Sequence, residues 1–395
     1  MTLILMDMTD QTSSVILNKT RLRIAVASIF FVHGLNFSSW AARIPDIQLK
    51  LGLSEAALGG VLLILPLGSL ASLPFSGVII DKLGSRLVVL VATLGYALTL
   101  PFLGFSSSVA MLSVGLFIYG FFGNTVNIAV NTQAIGVQTH YGRTIMASFH
   151  GTWSLAGFTG AGIGTLMVAL GIEPQVHYLI MLALVVVILS INYPHTLKED
   201  VNRNTGKFKW VKPDGTLVKI GLIAMCGMMS EGCMFDWSGV YFKKVVEAPE
   251  AWVPLGFSAF MMTMAGGRFI SDRLTNRFGI GTVLKGSGIL IATGLLFAVA
   301  LPYFATALIG FLLVGFGVSS VVPLAYSVAG KSKTMSAGMG LTMGSSISFL
   351  GFLLGPPLIG FIAEASSLRA SFLFIAVIGS LVAVITSMSK TIQRA

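Results

Sequence analysis

Of the 395 residues, 55% are apolar and only 10% are charged, 25 basic against 15 acidic, giving a net charge of +10. Soluble domains carry roughly 25% charged residues, so this composition excludes a soluble globular protein, a disordered chain and a nucleic-acid binder, and 13 Pro with 45 Gly exclude collagen-like and proline-rich chains. A membrane-crossing helix takes about 20 apolar residues, and a chain of this length has room for twelve.

Residues 1–21 are mostly polar and read as a cytoplasmic N-terminal segment without the layout of a signal peptide. Apolar runs then recur at 22–42, 55–80, 86–105, 108–139, 144–171, 175–193, 216–242, 252–271, 281–301, 304–330, 335–364 and 368–389. The ten-residue alternation of transmembrane strands is absent, so the expected fold is an all-α membrane protein of twelve transmembrane helices. The polar stretch 194–215 reads as a cytoplasmic linker between six-helix bundles at 22–193 and 216–389, with a short tail at 390–395. With both ends placed inside, five basic residues (Arg43, Lys50, Lys243, Lys244 and Arg369) fall outside and the other 20 inside. That is the positive-inside pattern, which accounts for the net charge through anionic lipid and predicts a multi-pass protein of a bacterial inner membrane with cytoplasmic termini.

Depth selects the candidate residues. Span one is bracketed by Arg23 and Arg43, with His33 at its midpoint. His33, Asn36 and Trp40 share one helix face. The loop after span two carries Asp81, Lys82 and Arg86, a charge cluster suited to latching an inner gate. Span four carries Asn124, Asn127, Asn131 and Gln138 on one stripe, with Gln133 off it. Carboxamides supply donors and acceptors, which suits a polyhydroxylated or zwitterionic solute; the plainer alternative is an interhelical polar seam. His150 and Trp153 share a face of span five, on the inner half of the pathway. Span seven is bracketed by Lys219 and Lys243, with Glu231 at its midpoint. A charge at that depth costs roughly 2.5–3.5 kcal/mol even on a lenient scale, so the carboxyl either takes up a proton or meets a partner. Glu231 is the leading proton-coupling candidate and His33 a relay or solute contact.

Asp236 is placed to pair with Arg43 at the outer mouth, as a gate or a structural clamp, and Trp237 fits an interfacial anchor. Arg268, Asp272 and Arg273, near the end of span eight, form the counterpart of the Asp81 cluster. Tyr326 in span ten is a further solute contact. Gly351, Gly355, Pro356 and Pro357 in span eleven read as a packing and kinking element.

The halves repeat weakly. A shift of 197 residues superposes Trp40 on Trp237, Ser39 on Asp236 and Leu58-Gly59 on Leu255-Gly256, as in secondary transporters built from two bundles around a central cavity. The segment G-V-I-I-D-K-L-G-S-R (77–86) resembles the G-x-x-x-D-[RK]-x-G-R signature of the major facilitator superfamily, departing at Ser85. S-S-W-A-A-R-I-P (38–45), N-I-A-V-N-T-Q-A (127–134), G-R-T-I-M-A-S-F-H-G (142–151), E-G-C-M-F-D-W-S-G-V-Y (231–241) and L-G-F-L-L-G-P-P-L-I-G-F-I-A-E (350–364) are similar to the bacterial MosC-like and YbjJ-like transporters. The resemblance covers nearly the whole chain and implies alternating access for a sugar-like or aminated-polyol solute. Acidic positions of that group are Asn127 and Gln138 here, which removes any proton role from them.

No H-E-x-x-H, G-x-S-x-G or phosphate loop is present; the run Gly330-Lys331-Ser332 lacks the first glycine, with Ala325 in its place. The expectation is therefore a transporter and not an enzyme, needing no cofactor or metal beyond a proton gradient, binding no nucleic acid, embedded in membrane lipid and acting as a monomer. Proton-coupled symport of a small polar solute leads. An efflux antiporter would call for a wider, more aromatic cavity, and a membrane sensor for a signalling domain.

Overall fold

The computed structural model describes residues 2–141, 145–200, 215–329 and 337–393; the side chains of residues 2–18, 147, 272, 337–342, 390 and 391 fall outside the description. Among the described residues the chain is helical throughout, without a strand. The first half holds α1 (Thr2–Ala41), α2 (Ile44–Leu51), α3 (Glu55–Leu62), α4 (Ile64–Leu83), α5 (Ser85–Phe105), α6 (Val109–Tyr141), α7 (Met146–Ala169) and α8 (Pro174–Asn192). The second holds α9 (Gly215–Lys244), α10 (Leu255–Phe278), α11 (Ile280–Ala300), α12 (Phe304–Ala329), α13 (Ala337–Ala365), α14 (Leu368–Met388) and the short α15 (Lys390–Gln393). Counting α3 and α4 as one span and setting aside the short α2 and α15, these are the twelve expected spans. Helix α1 runs back to Thr2, well before the expected start at 22, although its apolar part is Lys19–Ala41.

Local chemistry sets the boundaries. Pro45 sits in the first turn of α2, where its missing N–H costs nothing, and Gly52 ends the helix at φ 61, a conformation that favours glycine. Ser54 then caps α3, its Oγ accepting from the Ala57 N–H at 3.3 Å. Ten of the spans are apolar enough to cross a membrane on length and composition alone. The other two are α7, rich in Gly, Ser and Thr, and α10, which carries Arg268, Asp272, Arg273 and Arg277.

Helices α7 and α10 pack against each other, and the packing repeats between the halves. In the first half α1 packs on α7, α4 on α6 and α5 on α8; in the second α9 packs on α13, α10 on α12 and α11 on α14. This is the same arrangement applied twice, and it realises the weak sequence repeat. The halves meet chiefly through α7 against α10 and α3 against α13.

The α3–α13 junction closes one end of the molecule. A Cβ on Gly59 would lie 2.7 Å from the Pro356 carbonyl oxygen, and one on Gly360 would lie 2.5 Å from that of Glu55. Only glycine permits this approach, so the glycine-proline element of α13 acts as the packing surface of a seal. Lys244 pairs with Glu55 at 2.5 Å across the same end, and the Ala56 N–H donates to Glu364 at 3.4 Å. The opposite end, carrying Lys82, Arg86 and residues 193–200, is called the basic end below.

Candidate functional site

Glu231 lies midway along α9 and is buried, with 7% of its surface exposed. Its carboxylate meets Arg268 of α10, Nη2 to Oε1 at 3.2 Å. The same guanidinium crosses to the first half: Nη1 donates to Ser154 Oγ at 2.7 Å, and Cζ lies 5.9 Å from the Trp153 ring centroid. One arginine therefore bridges a buried carboxylate of the second half and a hydroxyl and an indole face of the first. A fork of donors on a delocalised charge suits this triple contact in a way an ammonium does not.

Around this strap the structure assembles several predicted residues. The His33 ring lies 5.3 Å from Tyr96 and 6.4 Å from Trp153. His33 and His150 are within electrostatic range of each other, as are His150 and Arg268. His150 is exposed beside Phe30, at 5.4 Å. Tyr326 bonds Ser348 at 2.7 Å and lies within range of Glu231. Phe37 packs between Trp153 and Phe235 of the other half. Trp40 and Trp237, paired by the 197-residue shift, are both fully buried, and neither their indole N–H groups nor the buried Asn36 Oδ1 has a partner among the described residues.

Other predicted residues go elsewhere. Arg268 is not part of an inner gate cluster: α10 continues to Phe278, leaving the arginine ten residues, or about 15 Å, from the helix end. Arg273 is exposed, and the side chain of Asp272 lies outside the described residues. Arg43 does not pair with Asp236. It pairs with Asp46 three residues on, at 2.8 Å, and donates to the Ile172 carbonyl at 2.7 Å; a partner in the next turn needs no other helix to be brought near. Burial holds the Asp46 carboxyl above its usual range against the opposing pull of Arg43. Trp237 is not an interfacial anchor, being wholly buried.

The carboxamide stripe divides. Asn124 donates to Ser69 O at 3.1 Å and Ser72 Oγ at 2.7 Å on α4, which is the interhelical seam. Asn131 donates to Asn127 Oδ1 at 2.7 Å, and Asn127 is exposed midway along its helix. Gln138 Oε1 caps the start of α7 by accepting from Ile145 N at 2.9 Å and Met146 N at 3.2 Å.

At the basic end Asp81 and Lys82 are exposed and form no ion pair among the described residues. Arg86 holds the segment after α8, donating to Pro194 O at 3.3 Å with its Cζ 4.9 Å from the Tyr193 ring. Sequence reasoning missed the bonds beside it. Buried Gln133 donates to Ser85 Oγ at 2.7 Å and to Leu197 O at 3.1 Å, and accepts from Leu197 N at 2.9 Å. Asp200 accepts from the Ser85 N–H at 2.8 Å and from its hydroxyl, at the start of α5, where a helix favours an anion. The available signals were the Ser85 departure from the signature and a glutamine off the stripe in an apolar helix. Ser154, Glu55 and Lys244 carried no distinguishing pattern.

Comparison with known proteins agrees with this architecture. Residues 26–346 match the family model of the Major Facilitator Superfamily. An uncharacterized MFS-type transporter of Yersinia pestis is 33% identical over 343 residues, covering 87% of this chain and 89% of that one. The membrane protein MosC of Rhizobium meliloti is 31% identical over 370 residues, 91% of this chain and 88% of that one. A crystal structure of a mutant form of the nucleoside transporter NupG superposes with a TM-score of 0.76 at 16% identity, covering 93% of this chain and 99% of that one.

Proposed function

Because the chain belongs to the major facilitator superfamily, and is thus a multi-pass membrane transporter and not an enzyme, we propose that it is a secondary active transporter carrying a small polar, sugar-like or aminated-polyol solute by proton symport. The observation that carries this reading is the pairing of buried Glu231 with half-buried Arg268, whose guanidinium also reaches Ser154 of the other half. A charged Glu231 holds Arg268; a proton on Glu231 removes one half of the pair and frees guanidinium donors at the junction where solute would sit. Removing one charge from a buried pair leaves the other uncompensated, so the proton, the solute and the position of α10 against α7 become linked. Exposed Asn127 and the indole face of Trp153 offer the hydrogen bonds and stacking surface that a polyol or sugar ring uses.

In this reading the basic end faces the cytoplasm of a bacterial inner membrane, following the positive-inside rule, and the glycine seal closes the outer side. Alternating access then consists of parting α3 from α13 while the basic end closes.

The test has two stages. A thermal-shift screen of sugars, inositols, amino sugars, amino acids and cationic drugs on purified protein selects a solute. Proteoliposome uptake of that solute is then measured with and without an inward proton gradient. The expected result is accumulation that requires the gradient, and a Glu231→Gln variant that still exchanges solute across the membrane but no longer accumulates it. Wild-type accumulation by E231Q would overturn proton coupling through Glu231, and solute movement against the proton flow would replace symport with antiport.

A further inference from the structure

A polar cavity lies at the basic end, away from the Glu231 strap. It encloses about 370 Å3 and is lined by Lys19 at the start of the first span, His140 at the end of α6, and His195 and Lys198 in the segment after α8. Among the described residues, no carboxylate lines it. Of the two that follow in the chain, Glu199 is exposed and Asp200 is bound to Ser85. None of the four basic side chains has an ion-pair partner among the described residues.

The cavity is built and not incidental to four long side chains. Its floor includes Thr196 and Leu197, both buried. Leu197 is held through its N–H and its carbonyl by Gln133, and Thr196 Oγ donates to Tyr193 O at 2.8 Å. Arg86 fixes Tyr193 and Pro194 from below. His140 is oriented by a 2.9 Å contact of Nδ1 with Gly136 O. Two ammonium groups and two imidazoles thus line one open cavity with no counter-charge among the described residues.

We propose that this cavity binds a phosphate group, and that the group is the headgroup of an anionic phospholipid. Two lysine ammonium groups beside two imidazoles, without an acidic partner among the described residues, select an anion, and the volume admits a glycerol phosphate where a lone carboxylate would leave it largely empty. Basic pockets between helices at the membrane surface are where anionic headgroups bind. The two helices that flank the cavity expose the apolar side chains Ile24 on α1 and Val187 and Ile191 on α8 near this end, surface along which acyl chains can lie. The site would clamp the residue 193–198 segment to the first half. It rests on neither the identity of the transported solute nor proton coupling.

The test uses full-length detergent-purified protein and three probes: dioctanoyl phosphatidylglycerol, dioctanoyl phosphatidylcholine and inorganic phosphate. Binding is read by native mass spectrometry and by thermal shift. Wild type and Arg277→Gln, which removes a basic side chain of the same end in the other half, should bind phosphatidylglycerol in preference to phosphatidylcholine. Lys19→Gln/Lys198→Gln should weaken phosphatidylglycerol binding about 30-fold, the effect of two surface lysines on an anionic headgroup. Saturation by inorganic phosphate at the same concentrations, with the same loss in the double variant, would keep the phosphate site but overturn the lipid as its source. Equal binding of the two lipids, or equal binding by wild type and double variant, would overturn the site. If the double variant does not fold, His195→Gln alone, at an exposed side chain, should show a smaller loss in the same direction; no loss would overturn the proposal.

Discussion

The two ends of the molecule are held by different kinds of bond. The sealed end joins one half to the other through Gly59 against Pro356 and Gly360 against Glu55, with the Glu55–Lys244 pair at the rim. The basic end joins the first half to its own continuation, through Gln133 to Leu197, Ser85 to Asp200 and Arg86 to Pro194. Bonds between halves must break when a transporter changes its open side, and bonds within a half need not. The sealed end accordingly relies on close glycine packing, an exposed ion pair and an exposed hydrogen bond, all cheap to part, whereas the basic end is centred on the buried hydrogen bonds of Gln133, which are costly to leave unmade. Between them the Arg268 strap is the exception: it spans the halves and ties a charged, half-buried arginine to a buried carboxylate.

The exception gives the largest expected effect. Arg268→Ala leaves Glu231 buried without a partner, which costs about 3–5 kcal/mol and should lower Tm and abolish uptake. Arg268→Met combined with Glu231→Leu should recover most of the stability, because apolar replacements of a buried pair are close to neutral, while uptake stays lost. Recovery of uptake in the double variant would show that the pair is structural only. Next in size is Gln133→Leu, which strands both polar groups of Leu197 at about 1–3 kcal/mol each. Tm should fall, while a spin-label distance across the sealed end should not change, since this bond lies within one half. A longer distance across the sealed end would break the contrast between the two ends.

Gly360→Ala acts on the other side of that contrast. Its Cβ has no room beside the Glu55 carbonyl, and such overpacking costs about 1–3 kcal/mol. The helices can escape the cost by parting, so most of it should appear as a shift of the conformational equilibrium, about 5- to 150-fold, and not as lost stability. Spin labels on Ser54→Cys and Ser366→Cys, with Cys226 and Cys233 replaced by Ser, should report a longer distance across the sealed end with little change in Tm. A large drop in Tm at unchanged distance would mean that the seal is part of the permanent core.

Much of this was legible in the sequence, and where it was not the reasons are physical. The span count and the repeat were legible because apolar length and a shared register survive divergence; Trp40 and Trp237 end up equally buried. Glu231 was legible from depth alone. Arg268 reads as a gate residue in the sequence because the apolar run of span eight ends at 271, whereas α10 runs to Phe278. A charged residue nearly three turns from a helix end and one at its end look alike in sequence, and a long side chain adds several ångströms of reach. Arg43 was assigned a distant partner although a nearer carboxylate stood three residues on. The carboxamide stripe was correctly polar, but periodicity cannot tell a helix neighbour from a cavity: Asn124 faces α4 and Asn127 is exposed.

The smallest expected effect separates rim from seal. The Glu55 and Lys244 side chains are 22% and 41% exposed, and exposed pairs contribute about 0.2–1 kcal/mol, less as salt rises. Glu55→Gln and Lys244→Gln should each move the sealed-end distance distribution slightly towards open, and the double variant should move it no further than either single. The shift should vanish at high salt, where screening already removes the pair in the wild type, while that of Gly360→Ala should persist, since steric contact is not screened. If the two kinds of variant instead respond to salt alike, charge and not glycine packing governs the closed end, and the division drawn between the two ends of the molecule would have to be redrawn around its ion pairs.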